Sequence, residues 1–229
     1  MKDILFISKK TPEKISKKLG GIFDVRLLEP SPLLGKPVCC HADMLVASIG
    51  GELIVCSYYL EANKELFGGV AVTAVDEKHG EKYPLDVLLN CFELDGAVYG
   101  RKKSASGYII RQAKSFVNVN QGYAHCSALI AGGCAVTSDE GIYGALTKNG
   151  ADALLIRPGY IALPGYDHGF IGGASFAYRR TVYFFGSLSH HPDGEKIRGF
   201  LSDHGFSVNE LSGLPLLDLG GAAVYEIEN

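Results

Sequence analysis

One unit recurs along this chain. It is a polar or ionisable residue, an apolar run, a turn, a second apolar run, a helical stretch and a third apolar run. The polar residues that open the copies are Asp43, Asp86, Cys126, His168 and Asp218, spaced 43, 40, 42 and 50 residues apart. A period of this size marks a supersecondary unit that cannot bury its apolar face alone, so the copies must stack on one another. The apolar run after each opening residue, at 44–47, 87–90, 127–130 and 169–172, reads as a first strand. Second strands are expected at 53–56, 97–99, 134–137 and 181–185. Helices are expected over 58–66, 104–113, 139–148 and 192–203. Third strands are expected at 70–75, 116–119, 153–156 and 206–211.

The fifth copy begins at Asp218 and reaches the last residue after its first strand. Its missing parts stand at the other terminus. Residues 4–8 read as a second strand. Thr11-Pro12-Glu13 reads as an N-cap, a first-turn proline and an early acid. Gly20 or Gly21 stops that helix, and residues 23–28 form a third strand. A chain that completes its last unit with its first segment closes into a ring, because closure removes exposed sheet edges. The expected fold is therefore α/β, a five-bladed propeller of ββαβ repeats in a single domain, 1–229. It is closed by pairing of the N- and C-terminal strands. A doubly wound parallel sheet needs about one strand per helix, and here there are nearly three.

Composition narrows the partners. A net charge of −3 with scattered Lys and Arg gives no reason to expect nucleic acid or an anionic membrane. No apolar stretch approaches the roughly 20 residues of a spanning helix. The N-terminal apolar run is too short for a signal peptide, so a cytoplasmic location with reduced thiols is expected. The six cysteines, at 39, 40, 56, 91, 126 and 134, contain no CxxC pair. No GxGxxG follows the first strand and there is no P-loop, so no cofactor is expected. His190-His191-x-Asp193 reads as a helix start at Pro192 and not as a metal site; no metal is expected.

The opening residues converge if the first strands point inward. The axis would then gather Asp43, Asp86, Cys126, His168 and Asp218, with His41, His125, Asp167, Asn90 and Ser127 beside them. Carboxylates buried together raise one another's pKa, and a cation relieves them. Fork-shaped guanidinium groups pair well with carboxylates. The same acids can instead accept backbone N–H groups at strand ends. Cys126 is the candidate nucleophile, with an imidazole from His41 or His168 as partner. Its neighbour His125 should point the other way. The glycines of the segment 163–173 suit a close backbone approach, either of blade to blade or of backbone to ligand.

Two local runs carry a resemblance. Cys40-His41-Ala42-Asp43-Met44 is similar to the His-x-Asp-Met/Phe run of the pentein family, the guanidino-group modifying enzymes. Leu219-Gly220-Gly221-Ala222-Ala223-Val224-Tyr225 resembles that family's terminal Gly-Gly-Gly-x-His-Cys, with Tyr225 in place of the cysteine. The family's His-x-Asp falls later in the chain, near Tyr166-Asp167-His168. The family contains deiminases, dimethylarginine hydrolases, amidinotransferases and a ribosome anti-association factor that is not an enzyme. The resemblance implies an axial site for a small cationic ligand, with Cys126, His41 and His168 as catalytic candidates and Asp43, Asp86, Asn90, Asp167 and Asp218 as binding candidates. A hydrolase or amidinotransferase of atypical residues is one expectation. A non-catalytic factor that binds a macromolecule is the other.

Overall fold

The computed structural model describes residues 1–227. It contains five three-stranded sheets of one pattern. In chain order the strands are β1 (Ile4–Ser8), β2 (Asp24–Leu28), β3 (Ala47–Ile49), β4 (Glu52–Cys56), β5 (Val72–Val75), β6 (Phe92–Leu94), β7 (Ala97–Gly100) and β8 (Phe116–Asn118). They continue with β9 (Ala128–Ala131), β10 (Cys134–Thr137), β11 (Asp152–Leu155), β12 (Ser175–Tyr178), β13 (Thr181–Phe184), β14 (Ser207–Glu210) and β15 (Ala222–Tyr225). Four sheets are continuous in sequence: β3-β4-β5, β6-β7-β8, β9-β10-β11 and β12-β13-β14. Each pairs its first two strands antiparallel and its last two parallel.

The fifth sheet, β15-β1-β2, joins the two ends of the chain. Tyr225 faces Ile4 and Ala222 faces Ile7 in antiparallel register, and β2 runs parallel on the other side of β1. The structure thus has the expected closure.

Helices bridge the parallel pairs: α1 (Glu13–Gly20), α3 (Ser57–Ala62), α4 (Gly107–Gln112), α5 (Glu140–Lys148) and α6 (Gly194–Asp203). A short helix, α2 (Ala42–Leu45), precedes β3. Start signals hold where a side chain accepts a backbone N–H, as Asp139 does from Ile142. Thr11 does not cap α1: the N-cap is Pro12, and the Thr11 hydroxyl is buried without a partner.

The middle strand of each sheet explains the near-continuous apolar runs of the sequence. Successive side chains of a strand point to opposite faces, and both faces of these strands are covered by neighbouring blades. On β1, Ile4 and Phe6 join one apolar cluster while Leu5 and Ile7 join another. On β4, Leu53 and Val55 pack in one seam and Ile54 and Cys56 in the next. β13 divides Val182 and Phe184 from Tyr183 in the same way. Five clusters fill five seams between blades, so no single core dominates.

The first strand expected at 127–130 is present as β9, but the other apolar runs that open the repeats differ from expectation. Residues 42–45, 86–89, 124–127 and 171–174 are helical turns, and the first strands begin after them. Backbone bonds such as Val46 N–H to Ala42, Asn90 N–H to Val87 and Ala174 N–H to Phe170 close these turns. The turns at 42–45 and 124–127 carry Asp43 and Cys126 to the hub, whereas His168 precedes its turn and stays half-buried.

Candidate functional site

Asn90 joins three blades at the hub. Its Oδ1 accepts the N–H groups of His125 at 2.8 Å and Cys126 at 3.2 Å. Its Nδ2 donates to the carbonyl of Asp43 at 2.9 Å and to Cys126 Sγ at 3.0 Å, with Met44 Sδ at 3.2 Å. A carboxamide with all its polar atoms engaged is held in one orientation. Since the Cys126 sulfur accepts from Asn90, its own S–H is free to point toward the neighbouring acids.

Two of those acids are buried side by side. Asp218 accepts the N–H of Phe170 at 2.9 Å and that of Gly220 at 3.0 Å. Burial still raises its pKa to about 6 against the pull of those two donors. Asp43 has no hydrogen-bond partner at either oxygen. Burial and the charge of Asp218 raise it to about 8. His41 Nδ1 lies 3.7 Å from Asp218 Oδ1 and 4.0 Å from Asp43 Oδ1, too far for hydrogen bonds. Burial, with the Lys10 ammonium, lowers the imidazole to about 3. Burial and mutual repulsion therefore favour one negative charge shared by the two acids, with the two N–H donors making Asp218 its better seat, and keep His41 neutral. Three coexisting carboxylates were the simplest reading of the sequence. Desolvation reduces them, because an unpaired buried charge costs more than taking up a proton.

Cys126 is 4% exposed, and its thiol is pushed well above its ordinary value by burial and by both acids. In the free protein it is a thiol, not a thiolate. Alkylation of Cys126 by iodoacetamide at neutral pH is expected to be slower than that of a cysteine in an unfolded peptide. Rapid selective labelling, read by mass spectrometry, would contradict that state.

A cavity of about 230 Å³ opens onto this hub. Its floor is His41, Cys126 and Asp218, all buried. Tyr123, Leu163 and Phe170 form walls, with Tyr123 and Phe170 stacked at 6.2 Å between ring centres. Tyr166 and Asp167 are exposed at the rim, and His168 is half-buried there, its Nδ1 3.1 Å from the carbonyl of Gly169.

Not every candidate reaches this space. Asn90 and Asp43 stand behind its floor. Asp86 stands behind the wall, accepting the Tyr123 hydroxyl with one oxygen; its other oxygen is unpartnered, and burial raises its pKa. His125 lines a second hollow of about 290 Å³ at the opposite end of the axis, among first-strand residues of all five blades. The hub between the two hollows is a plug. Tyr225, at the position of the resemblance's cysteine, lies on β15 opposite Ile4 and is not among the cavity residues.

Sequence reasoning missed the aromatic wall. Its signals were Tyr123, three residues before Cys126, and Phe170 inside the glycine-rich segment. The glycines themselves serve protein contacts. A side chain at Gly169 or Gly173 would overlap the Asp218 carboxylate, and one at Gly172 would meet the carbonyls of His125, Cys126 and Ala128. The tempting His191 and Asp193 are engaged locally. Asp193 N–H donates to His191 Nδ1 at 3.0 Å, and the Asp193 carboxylate pairs with Arg157 at 3.0 Å. Among the described residues, no helix is long and apolar enough to cross a membrane.

Solved structures share this fold. An adduct of dimethylarginine dimethylaminohydrolase with S-methyl-L-thiocitrulline is similar over 93% of both chains, with a TM-score of 0.57 at 10% identity. The same enzyme from Pseudomonas aeruginosa, complexed with citrulline, matches 93% of this chain and 92% of its own, again at 0.57 and 10%. The agmatine deiminase of C. jejuni matches 93% of this chain and 76% of its own, at a TM-score of 0.52 and 11% identity. At such identities the likeness is one of fold, and the fold is the five-bladed pentein propeller. No curated protein matches the chain in sequence. Residues 6–223 match the model of a family of unknown function, DUF6873, and the chain belongs to that family.

Proposed function

We propose that the axial cavity binds a small cation carrying a guanidino, amidino or amine head. One observation carries this reading. Two buried acids, Asp43 and Asp218, face each other at the hub, and neither Lys nor Arg lines the cavity. A guanidinium entering past Tyr123 and Phe170 meets Asp218 with paired hydrogen bonds and aromatic faces with its positive charge. Asp167 at the rim adds a second acceptor for a longer ligand. Asp86 acts through Tyr123, whose hydroxyl it holds.

Chemistry on that cation would use the same residues. A bound cation offsets the Asp218 charge, which otherwise raises both Asp43 and Cys126. The Asp43–Cys126 pair can then lose one proton. With Asp43 ionised, it accepts the Cys126 proton as the sulfur adds to the trigonal carbon of the head group. Asp43 passes that proton to the departing amine, and water completes hydrolysis as neutral His41 or His168 takes its proton and gives it to the sulfur that the water displaces. The pair's proton comes off on binding, so affinity should depend on pH. The dissociation constant for agmatine is expected to fall several-fold between pH 6 and pH 8, with up to one proton released per ligand. Calorimetry in buffers of different ionisation enthalpy measures both. Equal affinity at the two pH values, or stabilisation by phosphate esters and not by amines, would defeat the reading.

The protonated, 4% exposed Cys126 favours a second reading, in which the cation binds and nothing is turned over. Release of ammonia or a free amine from a bound guanidino compound separates the two. Binding without release leaves a ligand-receiving pentein.

A further inference from the structure

Cys39 and Cys40 are adjacent in sequence, and their side chains meet. Neighbouring side chains of an extended chain point apart. Here residues 36–40 form a turn, and the two sulfurs lie 3.7 Å from each other. That is van der Waals contact for sulfur. The Cys39 thiol also lies 3.3 Å from the carbonyl of Lys36. Cys39 is the more exposed of the two, 8% against 1% for Cys40. The Lys10 ammonium sits beside the turn, bonded to the carbonyl of Pro37 at 3.1 Å. The residue after the pair is His41, whose carbonyl accepts the N–H groups of Met44 and Leu45 and so starts the turn that presents Asp43.

We propose that Cys39 and Cys40 form a reversible vicinal disulfide whose closure displaces His41 at the axial hub. The oxidant is a small disulfide such as oxidised glutathione. The Cys39 thiol loses its proton to solvent and its sulfur attacks the small disulfide, releasing one glutathione thiolate and leaving a mixed disulfide. The Cys40 sulfur then displaces the second glutathione, closing the bond between the two protein sulfurs. Two protein thiols are oxidised, one disulfide is reduced to two thiols, and the protons balance. Closure requires the sulfurs to move from 3.7 Å to the covalent length of about 2.05 Å. Neighbouring Cα atoms are only about 3.8 Å apart across a trans peptide, below the usual range for a disulfide, roughly 4.4–6.8 Å. The bond is therefore strained and easily reduced, as suits a switch rather than a staple. The turn absorbs the movement, and His41 follows because its backbone is continuous with it.

The switch acts whether or not the cavity is filled, and the protein alone reports it. The whole protein is incubated with oxidised glutathione, quenched with acid and counted for thiols after denaturation. The expected count falls from six to four. Tandem mass spectrometry should place a loss of two hydrogens within residues 39–40, and reduced glutathione should restore six. Cys40→Ser should instead trap glutathione on Cys39. The imidazole NMR signal of His41, assigned with His41→Gln, should shift on oxidation of the wild type and not of Cys40→Ser. An unchanged count of six, a bond involving another cysteine, or a mixed disulfide that persists on wild-type Cys39 would overturn the disulfide. An unmoved His41 signal in the oxidised protein would overturn the coupling.

Discussion

Gly220→Ala is expected to destabilise the protein by roughly 3–5 kcal/mol, the sum of two costs acting at one atom. Gly220 has a φ of +81°, a left-handed conformation that costs an L-residue about 1–2 kcal/mol. Its added methyl would also overlap the backbone and Cβ of His41. Overpacking of this kind costs about 1–3 kcal/mol, and more here because the obstacle includes main chain. Gly69→Ala is the control. Its φ is +74°, but nothing lies within 4 Å of the new methyl, so only the conformational cost applies. Urea unfolding of the two variants measures the difference. Equal losses would mean that the loop at Gly220 yields freely, and that the seat of His41 is softer than the contacts imply.

Wild-type stability is expected to fall as pH rises from 6.5 to 8, by up to roughly 1.4 kcal/mol per pH unit for one group. Asp43 gives the sign. Its folded pKa, about 8, lies above the ordinary 3.8. Between those values the folded chain holds a proton that the unfolded chain lacks, so raising the pH favours unfolding. Asp218 acts in the same direction but only up to about 6. The buried imidazoles act oppositely. His41 is lowered to about 3, and His79 and His125 to about 4, each mainly by burial. The unfolded chain takes up their protons below 6.5, so their neutral burial makes stability rise with pH up to that point and adds no slope above it. His204, raised above 6.5 by the Phe200 carbonyl and Asp152, adds a slope of the same sign above 6.5, so the difference between wild type and Asp43→Asn isolates the Asp43 share. Asp43→Asn, which keeps the shape and cannot ionise, should lose about 2 kcal/mol less than wild type across it. A variant as steep as wild type would place the slope elsewhere and leave Asp43 ionised in the native state.

The ring was legible because its unit repeats and because each middle strand is apolar on both faces. Residues 4–8, 53–56 and 134–137 could only be buried strands. Gly50-Gly51 and Gly132-Gly133 form the hairpin turns between β3 and β4 and between β9 and β10. The opening runs misled. Residues 87–90, Val-Leu-Leu-Asn, are too short for periodicity to separate a strand from a helical turn. Tertiary placement decided for the turn, since the following strand must leave along the axis. The hub residues Asp43, Cys126, His41 and Asp218 were legible as a group because the repeat dictates where they converge. Their charge states were not, because protonation depends on how many donors each acid finds. Asp218 finds two backbone N–H groups and Asp43 finds none. The aromatic wall was illegible for a related reason: Tyr123 and Phe170 meet across two blades, and no local pattern brings them together.

Pairing of β15 with β1 also sets the order of assembly on the ribosome. Strand β1 is made before the four blades that follow it, yet its antiparallel partner comes only after all of them. At synthesis rates of about 5–20 residues per second, the wait is on the order of 10–40 s. Four blades can condense in turn while β1, with β2 on one side, keeps its other edge open. That edge belongs to a strand whose five residues are all buried in the finished ring. A nascent chain of this design carries a sticky strand until β15 is made.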